Sequence, residues 1–334
     1  MKGAVSAGYG LADKSLKARA GFELFLDEHR KYGVGLEVYK DIDHFRDGQV
    51  HDNTSNLFSA LFYKIDYFDY YYTKGFNFNL EGTPFRNLSI GIGYRNEDQT
   101  SASRRTNYSV FSKERTFEEN PPVKAGTLRS VWLKGRYGDE PLPIPIIPRN
   151  YVQWNIEHTA PAIGSSFDYT QFSVEAEFHV AAYLRSLFLP PSLTFMVSSG
   201  TALGALPPQR YYHLDSPLLG YAPIGVLRTA RMKEFSGDTY FIMSVEHNLR
   251  NVPFLWLNIP FLYKNSVELI TFVNIAQTWS SANSAPVTIH PSNGIVAEAG
   301  IGISRILGLF RVDFTYRLTD PQRFVVTMGI AMLL

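Results

Sequence analysis

Three side chains that could hold a metal ion, Glu175, Glu177 and His179, stand at every second position of one segment. Carboxylates and imidazole are ligands for several divalent metals, and a spacing of two places them on one face of a β-strand. The polar wall of a membrane barrel shows the same pattern, because lumen-facing and lipid-facing residues alternate there. Since the sequence offers no second group of histidines or carboxylates, we interpret the three residues as a lumen wall. We predict no metal and no cofactor.

Enzymatic chemistry has little support. The chain has no cysteine, which excludes thiol nucleophiles, thiolate metal sites and disulfides. No Gly-x-Ser-x-Gly turn occurs. His158 and His247 fall on positions predicted to face lipid, and the sequence shows no catalytic base with a residue that would orient it. The 32 basic and 31 acidic residues nearly balance, so the charge gives no reason to expect a nucleic-acid partner. We therefore predict a protein that is not an enzyme and has no catalytic residues.

A long loop with an arginine, followed by a strand with a glutamate, forms a different candidate site. The stretch 219–237 carries glycines, a proline and Arg228, and strict alternation begins at Asp238. Glu246 lies on the more polar face of that strand. The pattern predicts that the loop folds into a polar lumen, where a charge-assisted bond to Glu246 holds Arg228.

Alternation with a period of two runs through the whole chain and predicts an all-β fold. The polar face carries full charges, among them Arg311, Asp313 and Arg317 near the end, against an uninterrupted apolar face. A soluble sandwich also alternates, but its strands average about five or six residues. Strand length, 24 Phe and 20 Tyr favour a transmembrane antiparallel β-barrel that forms one domain over residues 1–334. Fifteen segments show the pattern: 3–11, 15–26, 31–41, 57–66, 69–81, 87–97, 126–137, 150–158, 170–182, 192–201, 238–249, 266–279, 293–304, 308–318 and 323–334.

The links between these segments alternate between long and short, as in outer-membrane barrels. The links 98–125, 202–237 and 280–292 are long and are predicted to be external, whereas 183–191 and 305–307 are short and are predicted to be periplasmic. Two long links, 42–56 and 250–265, break the pattern on the periplasmic side.

Fifteen is an odd number, whereas single-chain bacterial barrels have even strand numbers. Two explanations are open. The intact barrel has about sixteen strands, and its first strand, signal peptide and N-terminal domain precede Met1, or one segment between 57 and 81 is not a strand.

Several short motifs resemble the outer-membrane insertase and surface-antigen superfamily of BamA and TamA. The chain resembles most a Bacteroidota-type branch, whose members carry a carboxypeptidase-regulatory-like domain before such a barrel. The motifs are YGLADK at 9–14, DYFDYY at 66–71, LRT at 227–229 with EFSGD at 234–238, SVE at 244–246, FVN at 272–274 with Trp279, and the closing aromatic strand.

In that superfamily an arginine of an inserted loop meets a glutamate and an aspartate on the next two strands. The resemblance places Arg228, Glu246 and Asn274 in these positions, with Asn274 accepting a further hydrogen bond. The sequence departs from the superfamily in Thr229-Ala230, where glycine and an aromatic are usual, and in Asn274 for aspartate. These departures weaken the step from an anchored loop to insertase activity.

The resemblance implies a non-enzymatic protein of the outer membrane of a Gram-negative-type bacterium, related to assembly, insertion or export of envelope components. We expect a monomer in contact with outer-membrane lipid and lipopolysaccharide, and with periplasmic or envelope client proteins. The alternative is a passive or substrate-specific pore, in which the loop 202–237 is the constriction.

Overall fold

Fourteen antiparallel strands form one sheet, and each pairs with its neighbours along the chain. The computed structural model describes residues 1–10, 13–45, 51, 53–103, 107–140, 147–183, 190–281 and 289–331. The strands are β1 (Lys2–Gly10), β2 (Ser15–Phe25), β3 (Tyr32–His44), β4 (Tyr70–Phe85), β5 (Leu88–Ser101), β6 (Gly126–Gly138), β7 (Tyr151–Thr159), β8 (Tyr169–Ala181), β9 (Ser192–Gly204), β12 (Thr239–Asn248), β13 (Glu268–Trp279), β14 (Val296–Ile306), β15 (Phe310–Arg317) and β16 (Arg323–Ile330). A two-residue pair, β10 (Tyr212–His213) and β11 (Ser236–Gly237), lies in the loop between β9 and β12.

The strands are apolar outside and polar inside. Val5, Phe324 and Met328 are among many large hydrophobic side chains that are more than half exposed. Charged side chains such as Glu298 and Asp313 are completely buried. A soluble sandwich buries its apolar face, so the inverted arrangement is that of a membrane barrel with a polar lumen. The predicted all-β barrel fold is confirmed.

One predicted strand is a helix. Residues 57–66 fall largely in α1 (Asn53–Tyr63), whose buried residues are Asn56 and Ser59. Asn56 and Ser59 are three residues apart, which places them on one face of a helix. The sequence predicted a strand because the apolar residues around them also fit a period of two. The segment 57–66 is therefore not a strand, as the second explanation for the odd strand count states. The last predicted segment, 323–334, is observed as β16 up to Ile330, and residues 332–334 lie outside the described residues.

The three longest links, 45–69, 102–125 and 205–238, leave the sheet at one end together with the link 280–295, and we call this end the long-loop end. The link at 42–56, predicted on the other side, belongs to this end because α1 is not a strand. The opposite end, the short-link end, has the turns at 86–87 and 307–309. The link after β12 stays there and forms α2 (Val252–Trp256) and α3 (Pro260–Lys264). Among the described residues, no helix is both long and apolar enough to cross a bilayer.

Candidate functional site

The loop 205–238 is packed inside the barrel, and it forms the core of the molecule together with the inner wall. Leu214 and Leu227 of the loop pack against Ile242 and Ala276 of β12 and β13. A second buried cluster joins Leu206 and Tyr211 to Leu128 and Tyr169 of the wall and to Phe167, in the link before β8. The loop therefore contributes hydrophobic packing inside a wall whose lumen face is largely polar.

Arg228, in the second half of the inserted loop, bonds to two strands. Its Nη2 donates to Glu246 Oε1 on β12 at 2.6 Å, and its Nε donates to Asp313 Oδ2 on β15 at 3.0 Å. The side chain is 0% exposed, and the guanidinium carbon lies 4.1 Å from the centre of the Phe272 ring. A planar guanidinium suits this site because its fork of donors can reach two carboxylates while its face stacks on a ring.

Arg311 of β15 binds the same two carboxylates from the wall. It donates to both oxygens of Glu246, at 2.7 and 3.0 Å, and to Asp313 Oδ1 at 2.7 Å. Arg311 and Arg228 thus share Glu246 and Asp313 in one buried cluster. A buried charge without a partner is costly, and the alternation of sign in this cluster gives each charge a partner.

Glu298 of β14 receives four hydrogen bonds, and no cation provides any of them. Its Oε1 accepts from the Arg228 backbone N–H and from Asn274 Nδ2, both at 2.7 Å. Its Oε2 accepts from the backbone N–H of Thr229 at 2.9 Å and from the Thr229 hydroxyl at 2.6 Å. A carboxylate that accepts several backbone N–H groups is strongly stabilised. Glu298 therefore holds the backbone of the loop where Glu246 and Asp313 hold the side chain of Arg228.

Asn274 differs from the prediction in its bonding. Its amide donates to Glu298 and to the Val226 carbonyl at 3.3 Å, and does not accept from Arg228. The second carboxylate of Arg228 is Asp313, from a strand further along the chain. Asn274 and Glu298 are register partners on neighbouring strands. An aspartate at 274 would place two carboxylates side by side, whereas asparagine can donate to Glu298.

Thr229, which departs from the superfamily pattern, has a specific role in this site. Its hydroxyl donates to Glu298 and accepts from Arg317 Nε at 2.9 Å, and its carbonyl accepts from Arg317 Nη2 at 2.8 Å. Arg317 also donates to Glu234 Oε1 at 2.9 Å, further along the loop. Burial raises the pKa of Glu234, but the hydrogen bonds from Arg317 and from the Arg231 backbone outweigh it and leave the pKa below its usual value.

A second attachment, which sequence reasoning missed, holds the beginning of the loop to the opposite wall. Arg210 lies between Glu97 on β5, at 3.6 Å, and Glu157 on β7, at 3.9 Å. The neighbouring Gln209 donates to Gln99 at 2.8 Å. All these side chains are buried. The loop therefore spans the lumen between two charged attachment points on different sides of the barrel.

The three residues first considered as metal ligands lie apart from this cluster. Glu175 accepts from the Tyr151 hydroxyl at 2.5 Å, Glu177 pairs with Arg149 at 3.3 Å, and His179 Nδ1 lies 2.9 Å from the Thr194 hydroxyl. Glu175 lines a lumen cavity of about 720 Å³ together with side chains such as Lys134 and Gln153. The structure brings six of the predicted residues into one cluster: Arg228, Glu246, Asn274, Arg311, Asp313 and Arg317.

The same loop also reaches the edge of the last strand. The Met328 N–H of β16 donates to the Gly220 carbonyl at 2.7 Å, and the Met328 carbonyl accepts from the Ala222 N–H at 3.0 Å. Gly220 adopts a φ of +82°, which glycine takes without strain. Leu218, two residues before Gly220, packs in a buried cluster with Tyr67 and Phe68. The loop thus forms hydrogen bonds with the backbone N–H and carbonyl of Met328, the groups that point away from β15.

Comparisons with known proteins agree with this architecture. Residues 2–131 match the family described as "Family of unknown function (DUF5686) C-terminal domain". A search of curated proteins finds no match. Of the 73 matching chains of solved structures, BamA from Haemophilus ducreyi lacking POTRA domains 1–3 superposes with a TM-score of 0.54 at 12% identity. The fold is that of the BamA barrel. The match covers 94% of this chain and 62% of the BamA chain, so this chain spans less than two thirds of the length of that relative.

Proposed function

We propose that this protein is an outer-membrane β-barrel that assists assembly, insertion or export of envelope components at the edge of β16. The observation that supports the proposal is the bonding of both Met328 backbone groups to the loop. Unpaired backbone groups in lipid cost several kcal/mol each, so the edge of a barrel strand must be paired. In the state described the loop provides that pairing at one residue, Met328, and its release would offer the two backbone groups of Met328 to another strand.

The loop residues that bond to the edge of β16 and the loop residue Arg228 belong to one continuous stretch of chain. Only residues 223–227 separate Ala222, at the edge of β16, from Arg228, in the buried cluster. Release of Arg228 from Glu246 and Asp313 would therefore free the segment 219–222 to leave the edge. The proposed activity needs no chemical step, because strand exchange replaces one set of backbone hydrogen bonds with another. We accordingly propose a non-enzymatic role, as a monomer in contact with outer-membrane lipid, lipopolysaccharide and client proteins.

A reversible crosslink tests the role of the edge. Tyr221 and Met328 form a parallel bridge, and the chain has no cysteine of its own. The double variant Tyr221→Cys with Met328→Cys should form a disulfide that holds the loop on β16. In liposomes that also receive an unfolded barrel protein as probe client, the reduced form should speed folding of the client and the oxidised form should not. The two single-cysteine variants are the controls.

Equal client folding by the oxidised and reduced forms would show that the β16 edge takes no part. No acceleration by the wild-type protein would remove the assembly function itself.

The pore remains a second candidate because of the cavity of about 720 Å³ at the short-link side of the loop. Charged side chains such as Glu81, Lys134 and Glu175 line it, as expected for an aqueous path. The two functions differ in planar bilayers. A large and steady conductance of the wild-type protein supports the pore, whereas conductance that appears only in loop-release variants supports a barrel closed by its loop.

A further inference from the structure

The hairpin of α2 and α3, residues 252–264, presents an apolar surface at the short-link end. The exposed fractions are 56% for Leu255, 70% for Trp256, 69% for Leu257 and 75% for Phe261. The sequence of this hairpin, VPFLWLNIPFLYK, has Asn258 as the only polar residue before Tyr263. Four large side chains exposed together on one short element are unusual for a surface in water.

The hairpin is a folded element. Two of its own residues, Val252 and Phe254, are buried, and so is Val267, just before β13. Backbone bonds close both helices and join them, from Ile259 N–H to the Phe254 carbonyl at 2.9 Å and from Val267 N–H to the Leu262 carbonyl at 3.0 Å. Because the backbone is fixed in this way, the exposed side chains cannot turn inward without unfolding the hairpin.

The apolar surface continues the outer face of the barrel wall. The hairpin is joined directly to the β12–β13 ladder, since Leu269 N–H donates to the Arg250 carbonyl at 3.0 Å. At the same end, Leu307 and Phe310 are exposed around the turn between β14 and β15. Val273 and Ile301 extend the same exposed face along β13 and β14. This outer face is the one that contacts acyl chains in a membrane barrel.

We propose that residues 252–264 form a membrane-surface anchor, which lies in the lipid leaflet at the short-link end with Leu255, Trp256, Leu257 and Phe261 among the acyl chains. The occupant of this surface is lipid because the surface is continuous with the lipid-facing wall. An indole is also well suited to the boundary between headgroups and acyl chains. The anchor would fix the position of β12 and β13, which carry Glu246 and Asn274, relative to the bilayer. The inference rests on the membrane location in the proposed function and is independent of the assembly activity.

Tryptophan quenching in liposomes tests the anchor. One variant retains Trp256 alone, by Trp132→Phe, Trp154→Phe and Trp279→Phe. The matched control retains Trp279 alone, which is 41% exposed on an outward-facing position of β13 near the long-loop end. Lipids brominated near the headgroup should remove most of the Trp256 emission, and aqueous acrylamide should remove little of it.

The pair of variants separates the possible failures. Quenching of Trp279 by brominated lipid without quenching of Trp256 overturns the anchor and keeps the membrane barrel. Quenching of neither overturns both the anchor and the membrane location on which the proposed function depends.

A second measurement avoids the three simultaneous tryptophan substitutions. Because the chain has no cysteine, Phe261→Cys and Lys264→Cys each introduce a single thiol on the same short helix. In liposomes of pure lipid, a water-soluble maleimide should label the K264C variant and spare the F261C variant. Transfer to denaturant should make both react. Equal labelling of both variants in liposomes shows that Phe261 faces water and overturns the anchor.

Discussion

Replacement of Arg228 by alanine should release the inserted loop from the barrel wall. The substitution removes the hydrogen bonds to Glu246 and Asp313 and the stacking on Phe272. Removal of one partner of a buried ion pair costs about 3–5 kcal/mol. Both carboxylates keep Arg311 as a partner, so we expect the lower end, about 3 kcal/mol. At 1.4 kcal/mol per tenfold, the released state becomes about a hundredfold more populated.

Hydrogen exchange at one amide measures this change directly. The Thr229 N–H is bonded to Glu298 and is buried, so it exchanges only when the loop leaves the wall. In Arg228→Ala its exchange rate should rise about a hundredfold, in proportion to the population of the released state. Amides in the middle of β13 should keep their wild-type rates, because the barrel itself is unchanged.

The same loop offers a matched control in Arg231, whose side chain is exposed. Arg231→Ala removes an arginine three residues away and should leave the exchange rate of Thr229 unchanged. Wild-type exchange of the Thr229 amide in Arg228→Ala would refute the reasoning, since it would show that Glu298 and the apolar clusters hold the loop without help from the guanidinium.

Three further predictions concern the other attachments of the loop. Glu298→Gln replaces an acceptor with an amide that cannot satisfy all four donors. It should cost about 1–3 kcal/mol, visible as faster exchange at Thr229. Arg210→Ala should raise protease cleavage within 205–212 while exchange at Thr229 stays low, because the two attachments lie on different walls. The pKa of Glu234 is lowered below 4.5. Its pair with Arg317 therefore contributes its full stability above pH 4.5 and loses it as the pH falls through the lowered pKa. Hydrogen exchange near residues 231–235 should rise only in that acidic range.

The strands could be predicted from the sequence because a lipid-facing residue must be apolar, and its neighbours in the strand face the lumen. This requirement marks strands such as β8 and β13 through every second residue. The strand prediction was wrong at α1 because α1 lies outside the sheet, where neighbouring residues need not face lipid and lumen in turn. The apolar side chains of α1, such as Leu57 and Phe58, are exposed while Asn56 and Ser59 are buried. A helix with polar residues beneath it has no amphipathic signature of the usual kind.

The candidate site was only partly predictable. The alternation along a strand shows whether a residue faces the lumen, but it does not show which residue of another strand or loop it contacts there. Glu246, Asp313 and Glu298 all occupy inward positions, but the path of the loop decides which of them Arg228 meets. Glu298 stands at an inward position of β14, the strand after the one that carries Asn274. This inward glutamate was the sequence signal that could have shown that β14 also contributes to the site. Arg210 gave no such signal, because no alternation exists in the loop that carries it.

The pairing of Arg311 with Glu246 and Asp313 has a consequence for how the loop competes with other molecules. The wall by itself forms a receptor for one guanidinium, and the loop is its tethered ligand. A short tether gives a local ligand concentration of about millimolar or above, so a free peptide of equal intrinsic affinity would have to reach that concentration to displace it. Under the proposed function, a client with an arginine near its own strand would replace the loop both at Glu246 and Asp313 and at Met328.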